Sequence, residues 1–155
     1  MGHNLKALIA KPAALSKLPS GLKNLHVVQL KQNLVMIPLT DKFLQEIETK
    51  YPSAKQRILY YPESFSGAVY EFLKSLPDGH KITYIETEYF GGVGGQYACM
   101  FWDHKVYLCP HQDHHPINQV LKELEVCPTN DMDEFDSLGL GDYRDTDDFD
   151  DTESE

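Results

Sequence analysis

The chain has 155 residues, of which 41% are hydrophobic and 11% aromatic, and a formal net charge of −10 at pH 7. That is one domain of sequence with enough apolar side chains for its own core, so no disulfide framework or structural metal is needed to hold it. The charge is lopsided: residues 1–126 carry 13 basic and 12 acidic side chains, whereas residues 127–155 carry 12 acidic ones against Arg144 alone.

From the N-terminus, Leu5, Leu8, Ile9 and Leu15 recur at roughly helical spacing and predict a short helix or irregular arm over Asn4–Leu18. Its one unbroken apolar run, Ala7–Ala10, is closed by Lys11 and Pro12 and is too short for an export signal or a bilayer span. Leu25–Leu30 and Leu34–Leu39 are aliphatic runs parted by Lys31-Gln32-Asn33, a hairpin pattern. Thr40 is placed to cap a helix whose inward stripe is Phe43, Leu44 and Ile47. Ile58–Tyr61 predicts a short strand. Ser64–Leu76 predicts a second helix, with Phe65, Val69, Phe72, Leu73 and Leu76 on one face, ended by Pro77-Asp78-Gly79. Lys81–Phe90 and Gln96–Leu108 are rich in β-branched and aromatic residues and predict two long strands joined by Gly91–Gly95. Pro116–Val126 predicts a third helix, with Ile117, Val120, Leu121 and Leu124 inward. Hairpins dominate and no βαβ alternation repeats, so the expected class is α+β: an antiparallel sheet with about three packed helices in one domain.

Side chains alternate along a strand, so Tyr84, Glu86, Glu88 and Phe90 share one face of the first long strand. If Phe90 pairs with Gln96, then Ala98, Met100 and Trp102 join that face. Glu86 and Glu88 would stand roughly 6–7 Å apart, a spacing that suits an acid/base pair around a water, with Tyr84 and Gln96 orienting. The plainer account is a solvated sheet face. Gly91–Gly95 offers backbone amides to an anion, but the Lys-Ser/Thr of a P-loop is missing, and a turn needing positive φ explains the glycines as well.

Cys109, His111, His114 and His115 are metal-ligand types within seven positions, without the second ligand pair of a zinc site; a surface loop is the simpler reading, and no metal or cofactor is expected. Cys99, Cys109 and Cys127 form no Cys-x-x-Cys motif, which fits reduced thiols and a cytoplasmic protein. Lys and Arg are scattered without a basic stripe, which disfavours nucleic acid, and no membrane partner is indicated. The anionic end divides in two. Residues 127–144 interleave five acids with Phe135, Leu138, Leu140 and Tyr143 and can dock on the body as an acidic closing segment. Residues 145–155 are nearly all polar and predict a disordered tail.

Glu88-Tyr89-Phe90-Gly91-Gly92-Val93-Gly94-Gly95-Gln96, Ile117-Asn118-Gln119-Val120-Leu121 and Asp133-Glu134-Phe135-Asp136-Ser137-Leu138-Gly139-Leu140 together resemble a group of small bacterial proteins of uncharacterised function. The resemblance covers about residues 81–144. It implies that residues 133–144 are ordered and belong to one domain spanning residues 1–144, and it carries no activity. The expectation that follows is a non-catalytic protein-binding domain, an immunity- or antitoxin-type inhibitor of a basic partner such as a toxin. Asp133, Glu134, Asp136 and Asp142 would supply charge, and Phe135 and Tyr143 would be anchors. The alternative is a small hydrolase or ligand-binding enzyme using Glu86 and Glu88.

Overall fold

The computed structural model describes residues 3–18, 21–51, 67–77, 79–90, 93–103, 105–108, 115–129, 131–143 and 146, the side chains of Phe90, Val93, Val106 and Asp142 excepted. Ile58–Tyr61, the start of the Ser64–Leu76 segment and residues 147–155 lie outside them.

The apolar run near the N-terminus is a strand, not a helix. Lys6–Ala10 forms β1, followed by a single 3₁₀ turn at Pro12–Leu15. The reason is its place in the sheet. The strands are β1, β2 (Val28–Gln29), β3 (Val35–Pro38), β4 (Lys81–Phe90), β5 (Val93–Trp102) and β6 (Lys105–Leu108), in the order β2-β3-β1-β4-β5-β6, and every neighbouring pair is antiparallel. A central strand covered on both faces needs apolar side chains at every position, so period-two alternation is lost. Ala7, Leu8, Ile9 and Ala10 are accordingly all buried.

Helices lie on both faces. On one, α1 (Asp41–Lys50) and α2 (Gly67–Lys74) pack Phe43, Ile47, Val69, Phe72 and Leu73 against Leu8, Ile37, Tyr84, Cys99 and Phe101. Phe43 and Phe72 meet edge to face at 5.3 Å, and truncating either to Ala costs about 3–5 kcal/mol. On the other face, α3 (Pro116–Glu123) and α4 (Glu134–Leu138) pack Ile117, Val120, Leu121 and Leu138 against Ala7, Ile9, Met36, Ile85, Ala98 and Met100. The class is thus α+β, with the antiparallel sheet as the middle of three layers.

Thr40 caps α1 as its position predicts, its hydroxyl accepting from the Phe43 amide at 3.1 Å. β2 and β3 form the expected hairpin around Lys31–Asn33, where Gln32 and Asn33 take positive φ. The second long strand divides: β5 ends at Trp102 and β6 begins at Lys105.

The closing segment is part of the core. Leu138 and Leu140 are 1% and 0% exposed. Thr146, beyond the boundary expected at residue 144, is buried too: its amide donates to the Asn4 carbonyl at 3.0 Å, and its hydroxyl oxygen accepts from the Lys6 amide at 2.8 Å.

Candidate functional site

The β4–β5 register decides which side chains meet. Phe90 pairs with Val93 and Thr87 with Gln96, not Phe90 with Gln96. The difference is three residues, an odd number, and an odd slip moves every partner to the other face. Ala98, Met100 and Trp102 therefore do not join the carboxylates. Glu86 lies opposite Tyr97, and Glu88 lies opposite Gly95. Gly94 is what allows this tighter hairpin. Its φ is +152°, and a Cβ there would stand 1.8 Å from the Glu88 carbonyl oxygen, so no other residue fits.

Glu86 and Glu88 then part company. Glu86 is 5% exposed and accepts a 2.6 Å hydrogen bond from the Tyr84 hydroxyl. Glu88 is exposed and lines a cleft of about 400 Å3 together with Tyr89, Gly94, Gly95, Gln96, Tyr97 and His115. Of the four residues of the enzyme alternative, Glu88 and Gln96 reach this cleft, while Tyr84 and Glu86 form a buried pair elsewhere on the strand.

Gln96 spans two elements. Its side-chain oxygen accepts from the Ile117 amide at 3.0 Å, and its amide nitrogen lies 3.2 Å from the Tyr89 hydroxyl. It thereby satisfies an orphan donor at the first turn of α3, which His115 leaves without a side-chain cap. His115 sits at φ 50°, ψ 61°, immediately before Pro116. That conformation is costly for a non-glycine residue, about 1–3 kcal/mol, and is sustained only where surroundings fix it. Here the anchored first turn of α3 fixes it and sets His115 at the cleft. Of the other residues in the Cys/His alternative, Cys109, His111 and His114 lie outside the described residues. Among the described residues no group of three or more His, Cys, Asp or Glu is arranged to hold a metal. Cys99 is buried and Cys127 exposed, and neither is in a disulfide.

The first turn of α3 also holds the closing segment. The Asn118 side chain donates to Asp133 Oδ2 at 3.0 Å and accepts from the Phe135 amide at 2.9 Å. Asp133 caps α4 by accepting from the Asp136 amide at 2.9 Å. Phe135 and Tyr143, expected to be partner-facing anchors, are half-buried and pack on the core; Phe135 also meets the His3 ring edge to face at 5.3 Å. They are committed to the fold because α4 is a single short turn that holds its place only through such contacts. Asp131, Asp133 and Asp136 are exposed and Glu134 is half-buried. Among the described residues, ion pairs join Lys11 to Glu125, Lys74 to Glu71 and Lys81 to Glu123, and none engages those four acids. Lys31 leans on Gly139 at the end of α4 without pairing with them. The Asp142 side chain lies outside the described residues.

His3 ties the segment down from the other side. Its Nε2 lies 3.0 Å from the Leu140 carbonyl and its Nδ1 lies 2.6 Å from Thr87 Oγ1. No sequence motif marks this latch, since its partners are 84 and 137 positions away. Among the described residues no helix is long and apolar enough to cross a membrane. No protein-family model, curated protein or solved structure matches this chain.

Proposed function

We propose that this chain is a non-catalytic protein-binding domain that captures a basic partner protein through its acidic closing segment, in the manner of an immunity or antitoxin protein in a bacterial cytoplasm. One observation carries the reading: Asp131, Asp133, Glu134 and Asp136 sit on an ordered surface segment and, among the described residues, no lysine or arginine neutralises them. Uncompensated carboxylates on a fixed frame project a negative field outward, and such a field speeds encounter with a cationic surface and makes association sensitive to salt.

The test is capture from a lysate of the source cells on immobilised protein, comparing the wild type with an Asp131→Asn, Asp133→Asn, Asp136→Asn variant. Asparagine keeps the shape and the helix cap while removing charge. The expected result is a basic protein retained by the wild type at low salt, released by about 0.5 M salt as the Debye length shrinks, and missing from the variant. Equal capture by both proteins overturns the proposal.

A further inference from the structure

We propose that the cleft at the β4–β5 hairpin is the receptor for an arginine side chain of the basic partner, with the Glu88 carboxylate facing the guanidinium and the Tyr97 ring as its wall. This inference rests on the reading of the chain as a binder of a basic protein.

The cleft's size, about 400 Å3, is within the roughly 300–1,000 Å3 usual for ligand sites. Its lining selects the charge of the occupant. Among the described residues that line it, Glu88 is the one carboxylate and there is no lysine or arginine, a lining that repels an anion and attracts a cation. The lining also selects shape. Tyr97, on the same sheet face as Glu88, presents aromatic surface, and a guanidinium is a planar, weakly hydrated cation that stacks on tyrosine and forks onto a carboxylate. A lysine ammonium is a strongly hydrated point charge and gains less from such walls. The frame is already built: Gln96 ties Tyr89 to the first turn of α3, and His115 stands at the same turn. A prepared site loses less entropy on binding.

Position selects the source of the guanidinium. His115 at the cleft, Ile117 held by Gln96 and Asn118 held to Asp133 and Phe135 lie on the N-cap and first turn of α3. The first turn of α3 therefore links the cleft, through His115, to the acidic segment, through Asn118. A protein segment that sets an arginine in the cleft can bring further basic residues to this turn of α3, which favours it over a free guanidino compound.

The experiment is an amide-resonance titration of the full chain with three probes: N-acetyl-arginine methylamide, its uncharged citrulline counterpart, and a five-residue Lys-Lys-Arg-Lys-Lys peptide. The arginine probe is expected to saturate shifts at Gly94, Gly95 and Tyr97, and the citrulline probe to leave them in place. The peptide is expected to bind at least about tenfold more tightly than the arginine probe, with salt dependence, through added charge contacts. Glu88→Gln, a substitution at an exposed side chain, is expected to weaken the arginine probe about fivefold or more by removing a charge-assisted hydrogen bond. Shifts absent from these residues, or equal for the citrulline probe, overturn the inference. Equal affinity for the arginine probe and the peptide overturns the assignment to a protein segment. The two readings fail separately: if the Asn variant of the acidic segment loses the basic partner while Glu88→Gln keeps it undiminished, the cleft inference falls and the proposed function stands. If the arginine probe binds but no basic protein is captured, the proposed function falls and takes the partner assignment with it.

Discussion

Replacing Thr87 with valine removes one oxygen and nearly nothing else, yet it breaks the join between the first strand, the long hairpin and the closing segment. Thr87 is 1% exposed, and its Oγ1 accepts from the Leu5 amide at 2.9 Å and lies 2.6 Å from His3 Nδ1. His3 Nε2 faces the Leu140 carbonyl, which can only accept, so that nitrogen carries a proton; in the neutral ring Nδ1 is then the acceptor for the Thr87 hydroxyl. In Thr87→Val the buried Leu5 amide loses its acceptor, at a cost of about 1–3 kcal/mol, and the hydroxyl–imidazole bond, worth about 0.5–1.5 kcal/mol, is lost as well. The expected destabilisation is about 1.5–4.5 kcal/mol, read as a lower midpoint of urea unfolding at unchanged slope. A double-mutant cycle isolates the latch. With His3 already replaced by alanine, Thr87→Val should cost about 1 kcal/mol less than in the wild type, because one of its two bonds is gone. A cost below about 0.5 kcal/mol for Thr87→Val, or strict additivity with His3→Ala, refutes the reasoning.

Gly94→Ala should destabilise by more than about 2 kcal/mol, since positive φ and a backbone clash act together; the same variant should lose the arginine-probe shifts, checked by urea unfolding and by amide titration. Asp133→Ala should cost about 1 kcal/mol or more through the lost cap, whereas Asp133→Asn should leave stability nearly intact and weaken capture of a basic protein; unfolding and binding measured on both variants separate the roles. Lys11 holds the Glu125 carboxyl below the ordinary glutamate value, first by hydrogen bond and then by charge. A carboxyl with a lowered folded pKa contributes stability above its unfolded value and loses it as pH falls through the folded one. In Lys11→Ala the Glu125 carboxyl resonance should therefore titrate at higher pH; an unmoved midpoint would sink the pairing.

Local signals were readable where the responsible physics is local. Thr40 and the Phe43–Ile47 stripe identify α1 because a cap and a 3.6-residue period lie within one segment. The same holds for α3, where Ile117, Val120 and Leu121 are buried as their spacing predicts. The first strand was not readable, because Ala7–Ala10 is apolar at every position and period cannot tell a doubly covered strand from a buried helix. The hairpin register is hidden for a related reason: five consecutive positions of Gly and Val offer several turn lengths, and only the close approach at Gly94 selects among them. That one choice puts Glu86 under cover and Glu88 at a cleft, so the two carboxylates do not share one site as the acid/base alternative requires. Gln96 and His115 belong to the cleft through contacts between β5 and the start of α3, which no spacing along the chain encodes.

The acidic segment shows why charge and fold must be perturbed separately here. Cutting the chain after Val126 would remove the charges, but it would also strip Leu138 and Leu140 from the core and the Leu140 carbonyl from His3. Losing two fully buried leucines costs about 4–10 kcal/mol on the scale of leucine-to-alanine truncations, comparable with the whole stability of a domain. A truncated chain that failed to bind would therefore say nothing about electrostatics. Asp131 and Asp136 are exposed, and Asp133 can pass its cap to an asparagine, so isosteric neutralisation changes the field while the three-layer core stays shut. If binding then survives undiminished in the neutral variant, attraction by these carboxylates is not what selects the partner, and the proposed function falls with the fold intact.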